Sequence, residues 1–155
     1  MRRSVKTGEG LYICFQPLVA SDGTKANAAE VLLRYNDPSL GPVPPSEFIP
    51  VIEKRGLALF IDTIVVEQAC RFLEKHPEIH MLHINLSATE FFQNPAKRIS
   101  EIVKGYNVNP KKICFEITES SAARNPEFLG SFMKQMIAAR TTSLPIATAM
   151  DKDSR

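Results

Sequence analysis

The sequence lacks the features that mark membrane, secreted and nucleic-acid-binding proteins. No apolar run approaches the roughly 20 residues that a membrane helix needs. The basic start over residues 1–6 is not followed by the apolar segment of a secretory signal. Lysine and arginine, 19 in all, nearly balance the 17 aspartates and glutamates, which gives no electrostatic case for binding DNA or RNA. We therefore expect a cytoplasmic protein with no membrane segment in this chain.

Cysteine is also scarce. Cys14, Cys70 and Cys114 are widely spaced and odd in number, so they match neither a zinc site nor a disulfide framework. In a cytoplasmic protein such thiols are usually reduced and buried. The sequence therefore predicts three reduced, buried thiols.

The residues that are present suffice for one folded domain. The 155 residues are 44% hydrophobic and 23% charged, which suits a globular core and excludes a disordered chain. Runs of β-formers and helical spacing of apolar residues predict two strands that pair as a hairpin, followed by alternating helices and strands. This order is typical of parallel strands in an α/β fold. The predicted strands cover residues 11–16, 30–35, 81–86 and 113–117, and the predicted helices cover residues 47–55, 60–75, 97–105 and 127–139.

Local signals refine this outline. Residues 1–10 are polar and are expected to be flexible. The four prolines and one glycine between Asn36 and Pro45 predict a loop, and Ser46 is the expected N-cap of the first helix. Pro126 suits the first turn of the last helix. A short additional strand is expected near residues 144–147.

Polar residues interrupt three of the predicted strands. Glu30, Asn85 and Glu116 each stand among apolar neighbours, and a buried carboxylate needs a partner. Two carboxylates and an amide oxygen on neighbouring strands would form an oxygen-rich pocket that suits Mg²⁺ or Mn²⁺. Arg34 shares the face of Glu30 and could clamp a phosphate oxygen. The plainer alternative is that the glutamates are exposed or ion-paired and that Asn85 is a turn former.

Other polar residues nearby have plainer explanations. His83 is expected to be a structural histidine with satisfied hydrogen bonds rather than a metal ligand. Glu119, beside Ser120, is expected to be a helix-end or loop carboxylate rather than a catalytic base. Ser87 lacks a nucleophile elbow and a nearby His–Asp pair, so serine hydrolysis is not expected.

Six segments resemble the motifs of EAL domains. FQPLV at residues 15–19 resembles the opening YQPIV, and AEVLLRY at residues 29–35 resembles the signature AEALLRW, with valine replacing the name-giving alanine. PSEFIP at residues 45–50 and IEKRGL at residues 52–57 resemble PAEFIP and AEETGL. HINLS at residues 83–87 and FEITES at residues 115–120 resemble VNLS and LEITES. Each segment alone is weakly specific, but their shared order and spacing identify residues 11–136 as part of an EAL domain.

The resemblance implies a modified TIM-type (β/α)₈ barrel that hydrolyses cyclic di-GMP to a linear dinucleotide with Mg²⁺ or Mn²⁺. It implies metal ligation by Glu30, Asn85 and Glu116. It also implies that Arg34 contacts substrate phosphate and that Gln16 lies at the mouth of the substrate site. A complete TIM-type barrel needs roughly 250 residues and eight strands. We therefore expect residues 11–139 to form an incomplete barrel with about its first four to five strands.

The resemblance ends near the last predicted helix. The family's next strand carries DDFGTGYSSL, whereas residues 143–150 read SLPIATAM, without paired aspartates. Residues 140–155 therefore form an atypical tail, and a frameshift within or after the last helix is one hypothesis that explains it. Without the acidic strand we expect weak or absent metal binding and little or no catalysis. An open strand edge also predicts poor solubility or self-association.

Three functions stay open at this point. The first is a cyclic-di-GMP phosphodiesterase of which this chain is an incomplete, inactive copy. The second is a degenerate EAL module that binds cyclic di-GMP or a protein partner without catalysis. The third is a fragment with no independent function. The retained metal and phosphate residues make binding feasible, and nothing in the sequence separates the second function from the third.

Overall fold

One sheet with helices packed on it forms the part of the chain that the structure describes. The structure, a computed structural model, describes residues 8–19, 23, 25–87, 94–118, 126–138 and 147–149. Its strands are β1 (Leu11–Val19), β2 (Lys25–Asp37), β3 (Gly41–Val43), β4 (Met81–Asn85), β5 (Ile113–Thr118) and β6 (Ala147–Ala149). Its helices are α1 (Pro45–Lys54), α2 (Ala58–Lys75), α3 (Pro95–Lys104) and α4 (Pro126–Ala138), with a 3₁₀ turn at Pro110–Lys112.

The strand order is β1-β2-β4-β5-β6, with β3 also beside β2. β1 and β3 run antiparallel to β2, so the predicted hairpin of the first two strands is confirmed. The pairs β2–β4, β4–β5 and β5–β6 are parallel, which confirms the predicted parallel α/β arrangement. Helices α2, α3 and α4 provide the crossovers that parallel neighbours require.

Apolar side chains fill the space between the helices and one face of the sheet. Val31, Ile84 and Phe115, from β2, β4 and β5, are at most 3% exposed. They share one cluster with residues from every helix, including Phe48, Val66, Ile99 and Met136. Because successive residues of a strand point to opposite faces, the polar residues between them project from the side of the sheet that faces away from this core.

The proline-rich segment contains a strand, so the prediction of a loop over residues 36–45 was wrong. The Asp37 carboxylate accepts the backbone N–H groups of Ser39 at 2.9 Å and Leu40 at 3.2 Å, which closes a turn. Gly41 follows at φ 78°, a conformation that favours glycine. β3 then pairs with β2 as an edge strand, where the missing N–H of Pro42 is tolerated.

Helix starts depend on proline more than the sequence suggested. α1 begins at Pro45 with Pro44 as its N-cap, and no side-chain hydrogen bond caps it, so the expected capping role of Ser46 was wrong. Proline suits the first helical turn because the N–H that it lacks would have no partner there. The prediction that Pro126 opens the last helix is confirmed. Asn94 caps α3 by accepting the backbone N–H of Lys97 at 3.2 Å.

β1 accounts for two further corrections. The sequence predicted that this strand ends before Pro17, but β1 continues to Val19. Its register shifts between Pro17 and Val19. An edge strand tolerates proline, and the irregularity absorbs it. Cys14 is exposed, whereas Cys70 and Cys114 are buried, so the prediction of three buried thiols was wrong for Cys14. Cys14 pairs with Leu32 on the face that the helices do not cover.

The end of the chain is described only at Ala147–Ala149, which pairs in parallel with β5. The short strand expected near residues 144–147 meets β6 at Ala147, and residues 144–146 lie outside the described residues. The expectations for residues 1–7 and for the rest of the tail also lie outside them. Within the described segments, no helix combines the length and the apolarity needed to cross a bilayer.

Candidate functional site

Strand register aligns the polar residues of four neighbouring strands. Glu30 on β2 lies opposite His83 on β4, and Asn85 on β4 lies opposite Glu116 on β5. Gln16 on β1 pairs with Glu30 from the other side. Residues in register share a face, and adjacent strands lie about 4.8 Å apart. We call these five residues the polar face.

Both carboxylates of the polar face are held by side chains of β4. The Asn85 amide nitrogen Nδ2 donates to Glu30 Oε1 at 2.9 Å. His83 Nδ1 lies 2.7 Å from Glu116 Oε1. β4 runs between the two strands that carry the glutamates. Asn85 therefore contacts Glu30 on β2, and His83 contacts Glu116 on β5. The expectation that each strand carboxylate has a partner is confirmed.

Solvent reaches the two halves of the polar face to different degrees. The side chains of His83 and Glu116 are only 22% and 17% exposed. Glu30 is half-buried, and Gln16 and Asn85 are exposed. Solvent therefore reaches Gln16 and Asn85 most, and Glu116 lies at the more enclosed end of the polar face.

The donor atoms of the polar face fit a hard cation. Asn85 bonds Glu30 through its amide nitrogen, so that bond does not engage the amide oxygen Oδ1. Carboxylate and amide oxygens suit Mg²⁺ or Mn²⁺, whereas zinc prefers nitrogen and sulfur. Across the described ranges, no group of three or more histidines, cysteines, aspartates and glutamates could hold a metal. A cation here would therefore depend on two glutamates and the Asn85 amide.

A cleft of about 350 Å³ lies between the carboxyl ends of β2 and β4 and the helices α1 and α2. The predicted phosphate-binding residue, Arg34, and the predicted metal ligand Asn85 both line this cleft. Arg34 donates to the backbone oxygen of Leu33 at 2.9 Å. In TIM-type barrels this end of the strands is where active sites form.

The sequence did not predict a second polar group in the cleft, formed by Ser87, Asp62 and Glu53. The backbone N–H of Ser87 donates to Asp62 Oδ2 on α2, and the Ser87 hydroxyl donates to Glu53 Oε1 on α1, both at 3.2 Å. Ser87 therefore ties the end of β4 to two helices. Asp62 is only 9% exposed, and its position between the apolar residues Ile61 and Val65 of α2 was the available signal. Glu119 and Ser120 lie outside the described residues.

Comparisons with known proteins agree on one family. The family described as "EAL domain" matches residues 1–145. The oxygen sensor protein DosP of Escherichia coli K12 is 34% identical over 115 residues, which cover 71% of this chain and 14% of that protein. The cyclic di-GMP phosphodiesterase PA2567 of Pseudomonas aeruginosa is 29% identical over 154 residues, which cover 95% of this chain and 25% of that protein.

The solved EAL domain of FimX from Pseudomonas aeruginosa, bound to c-di-GMP, aligns with a TM-score of 0.77 at 24% identity, over 90% of this chain and 57% of that one. The chain thus spans a quarter or less of these two relatives and somewhat over half of the FimX domain. The predicted fold, part of a TIM-type barrel of the EAL kind, is confirmed by this likeness and by the parallel sheet. The family match over residues 1–145 leads to one conclusion: this chain belongs to the EAL domain family.

Proposed function

We propose that this chain forms the first part of a binding site for cyclic di-GMP. In this proposal Glu30, Asn85 and Glu116 hold a Mg²⁺ or Mn²⁺ ion, and Gln16 and Arg34 contact the dinucleotide. The observation that carries the proposal is the alignment of oxygen donors on one face, with Asn85 bonded to Glu30 and in register with Glu116. When bound, such an ion supplies charge neutralisation for a phosphodiester and activation of water.

Two further observations support the choice of ligand. Arg34 lines the same cleft as Asn85, and a guanidinium binds phosphate oxygens with paired, charge-assisted hydrogen bonds. Gln16 is exposed next to Glu30, where its amide can donate to or accept from a ligand that lies over the polar face. Among the relatives, PA2567 is named as a cyclic di-GMP phosphodiesterase.

We further propose that the isolated chain binds cyclic di-GMP without hydrolysing it. Residues 143–150 carry no aspartate, although the resemblance places an acidic pair on the strand after the last helix. Mg²⁺ requires near-ideal octahedral coordination, and two carboxylates with one amide leave half of that shell to water. The ion would then bind weakly, and residues 143–150 would supply no carboxylate to orient the attacking water.

Isothermal titration with cyclic di-GMP tests the proposal, in Mg²⁺ and in Ca²⁺, with chromatography of the products afterwards. We expect binding in both ions and no linear dinucleotide. Arg34→Ala should weaken binding about tenfold or more, because a hydrogen bond to a charged group contributes about 1.5–3 kcal/mol. Arg98→Ala is the matched control, since Arg98 is an exposed α3 residue paired only loosely with Glu101 at 4.0 Å.

Each outcome of this titration has a distinct meaning. Absence of binding by the wild-type chain, or equal weakening by the two arginine substitutions, would contradict the proposed site. A linear product in Mg²⁺ would establish the second candidate function, a phosphodiesterase that works without the acidic pair. The likeness to an enzyme family is the observation that favours this second candidate.

A further inference from the structure

We infer that His83 is a positioning residue of the cation site, whose Nδ1–H group holds the Glu116 carboxylate in the orientation that receives the ion. The inference rests on the proposed function. His83, which the sequence analysis predicted to be a structural histidine, thereby has a role at the cation site. His83 itself contacts Glu116 and acts through it.

The contact between the two side chains has a defined direction. His83 Nδ1 lies 2.7 Å from Glu116 Oε1. An ionised carboxylate only accepts hydrogen bonds, so the proton must sit on Nδ1. The distance is at the short end of the range for N–H···O bonds, as charge-assisted bonds are. Both side chains are largely shielded from water, so solvent competes weakly for this bond.

Strand register explains why this histidine reaches Glu116. Asn85 lies directly opposite Glu116, and His83 precedes Asn85 by two residues on the same face of β4. The His83–Glu116 bond therefore runs diagonally between β4 and β5. It engages Oε1 and restricts rotation of the carboxylate, so Oε2 keeps a fixed direction.

The two glutamates are bonded by different residues of β4. Asn85 bonds Glu30 and is itself a proposed ligand, whereas His83 bonds Glu116 from a position in register with Glu30 and Cys114. Groups that hydrogen-bond a metal ligand fix its orientation, and their loss typically lowers metal affinity about tenfold to a hundredfold. A merely structural histidine would affect the stability of the sheet but not the affinity for the ion.

Titration of Mn²⁺ followed by electron paramagnetic resonance, with no nucleotide present, measures the affinity directly. His83→Leu removes the donor. His83→Gln keeps an N–H donor but places it near the position of the histidine Nε2 atom instead of Nδ1. We expect both to weaken Mn²⁺ binding about tenfold or more. His83→Asn places an N–H group close to the position of Nδ1 and should restore affinity to within about threefold of the wild type. His80→Leu is the matched control, because His80 is exposed and precedes β4.

Urea denaturation of each metal-free variant identifies any that fails to fold. Nitrogen chemical shifts of His83 in the metal-free protein should show the Nδ1–H tautomer. Unchanged Mn²⁺ affinity in His83→Leu and His83→Gln, with binding by the wild type, would overturn the positioning role and leave the proposed function standing. Absence of Mn²⁺ binding by the wild type would overturn the metal site itself and the role of His83 with it.

Discussion

Replacing Asp62 with alanine is expected to loosen the end of β4. The Asp62 carboxylate is largely buried and accepts the backbone N–H of Ser87 at 3.2 Å. Alanine removes this acceptor, and a hydrogen bond to a charged group contributes about 1.5–3 kcal/mol. The better helix propensity of alanine offsets at most about 0.7 kcal/mol in α2. We therefore expect the free energy of unfolding to fall by about 1–2 kcal/mol.

Urea denaturation followed by circular dichroism measures this change. Asp62→Asn keeps an acceptor oxygen and should lose less than about 1 kcal/mol. Glu101→Ala is the control, because Glu101 is exposed and lies 4.0 Å from Arg98, a kind of surface pair that contributes about 0.5 kcal/mol or less. An Asp62→Ala variant as stable as the wild type would refute the reasoning. Equal losses in the alanine and asparagine variants would show that the acceptor oxygen is not what matters.

Two further predictions follow from burial. Burial, reinforced by two nearby glutamates, raises the pKa of the Cys70 thiol to about 12, and Cys114 is also buried, so a thiol reagent at mildly alkaline pH should modify only Cys14 in the folded chain. All three thiols should react in urea, and rapid modification of more than one in the native protein would contradict this. Ile84→Ala should lower the free energy of unfolding by about 2–5 kcal/mol, because Ile84 is fully buried in the strand between β2 and β5. Leu40→Ala, at a residue 77% exposed, should change it by less than about 0.5 kcal/mol, and similar losses in the two variants would be inconsistent with the observed core.

Alternation along strands was the most informative pattern in the sequence. It placed Glu30, Asn85 and Glu116 on a common side of their strands, and the parallel register then aligned Asn85 with Glu116. Alternation also places His83 on that side of β4. It does not predict the hydrogen bond between His83 and Glu116. That bond depends on which residues of adjacent strands lie opposite one another, and a local pattern does not determine register.

The wrong predictions for strand boundaries and for Cys14 arose because these features depend on where the residues lie in the folded sheet. A strand through Pro17 and a strand at Gly41–Val43 both contradict local propensity, and both lie at edges where a missing N–H is tolerated. Cys14 is exposed because β1 turns it toward the face that the helices leave uncovered. No local pattern predicts the role of Asp62, because its partner, Ser87, is distant in sequence.

Nuclear magnetic resonance mapping of cyclic di-GMP onto the ¹⁵N-labelled chain, in the presence of Ca²⁺, tests the central claim most directly. Amide shifts should change around Glu30, Asn85 and Glu116 of the polar face and around Arg34 in the cleft. The amides of α3 (Pro95–Lys104), on the far side of the core, should stay in place. No shift changes at saturating ligand, or changes confined to the helical layer, would contradict the assignment of a cyclic di-GMP site to this face.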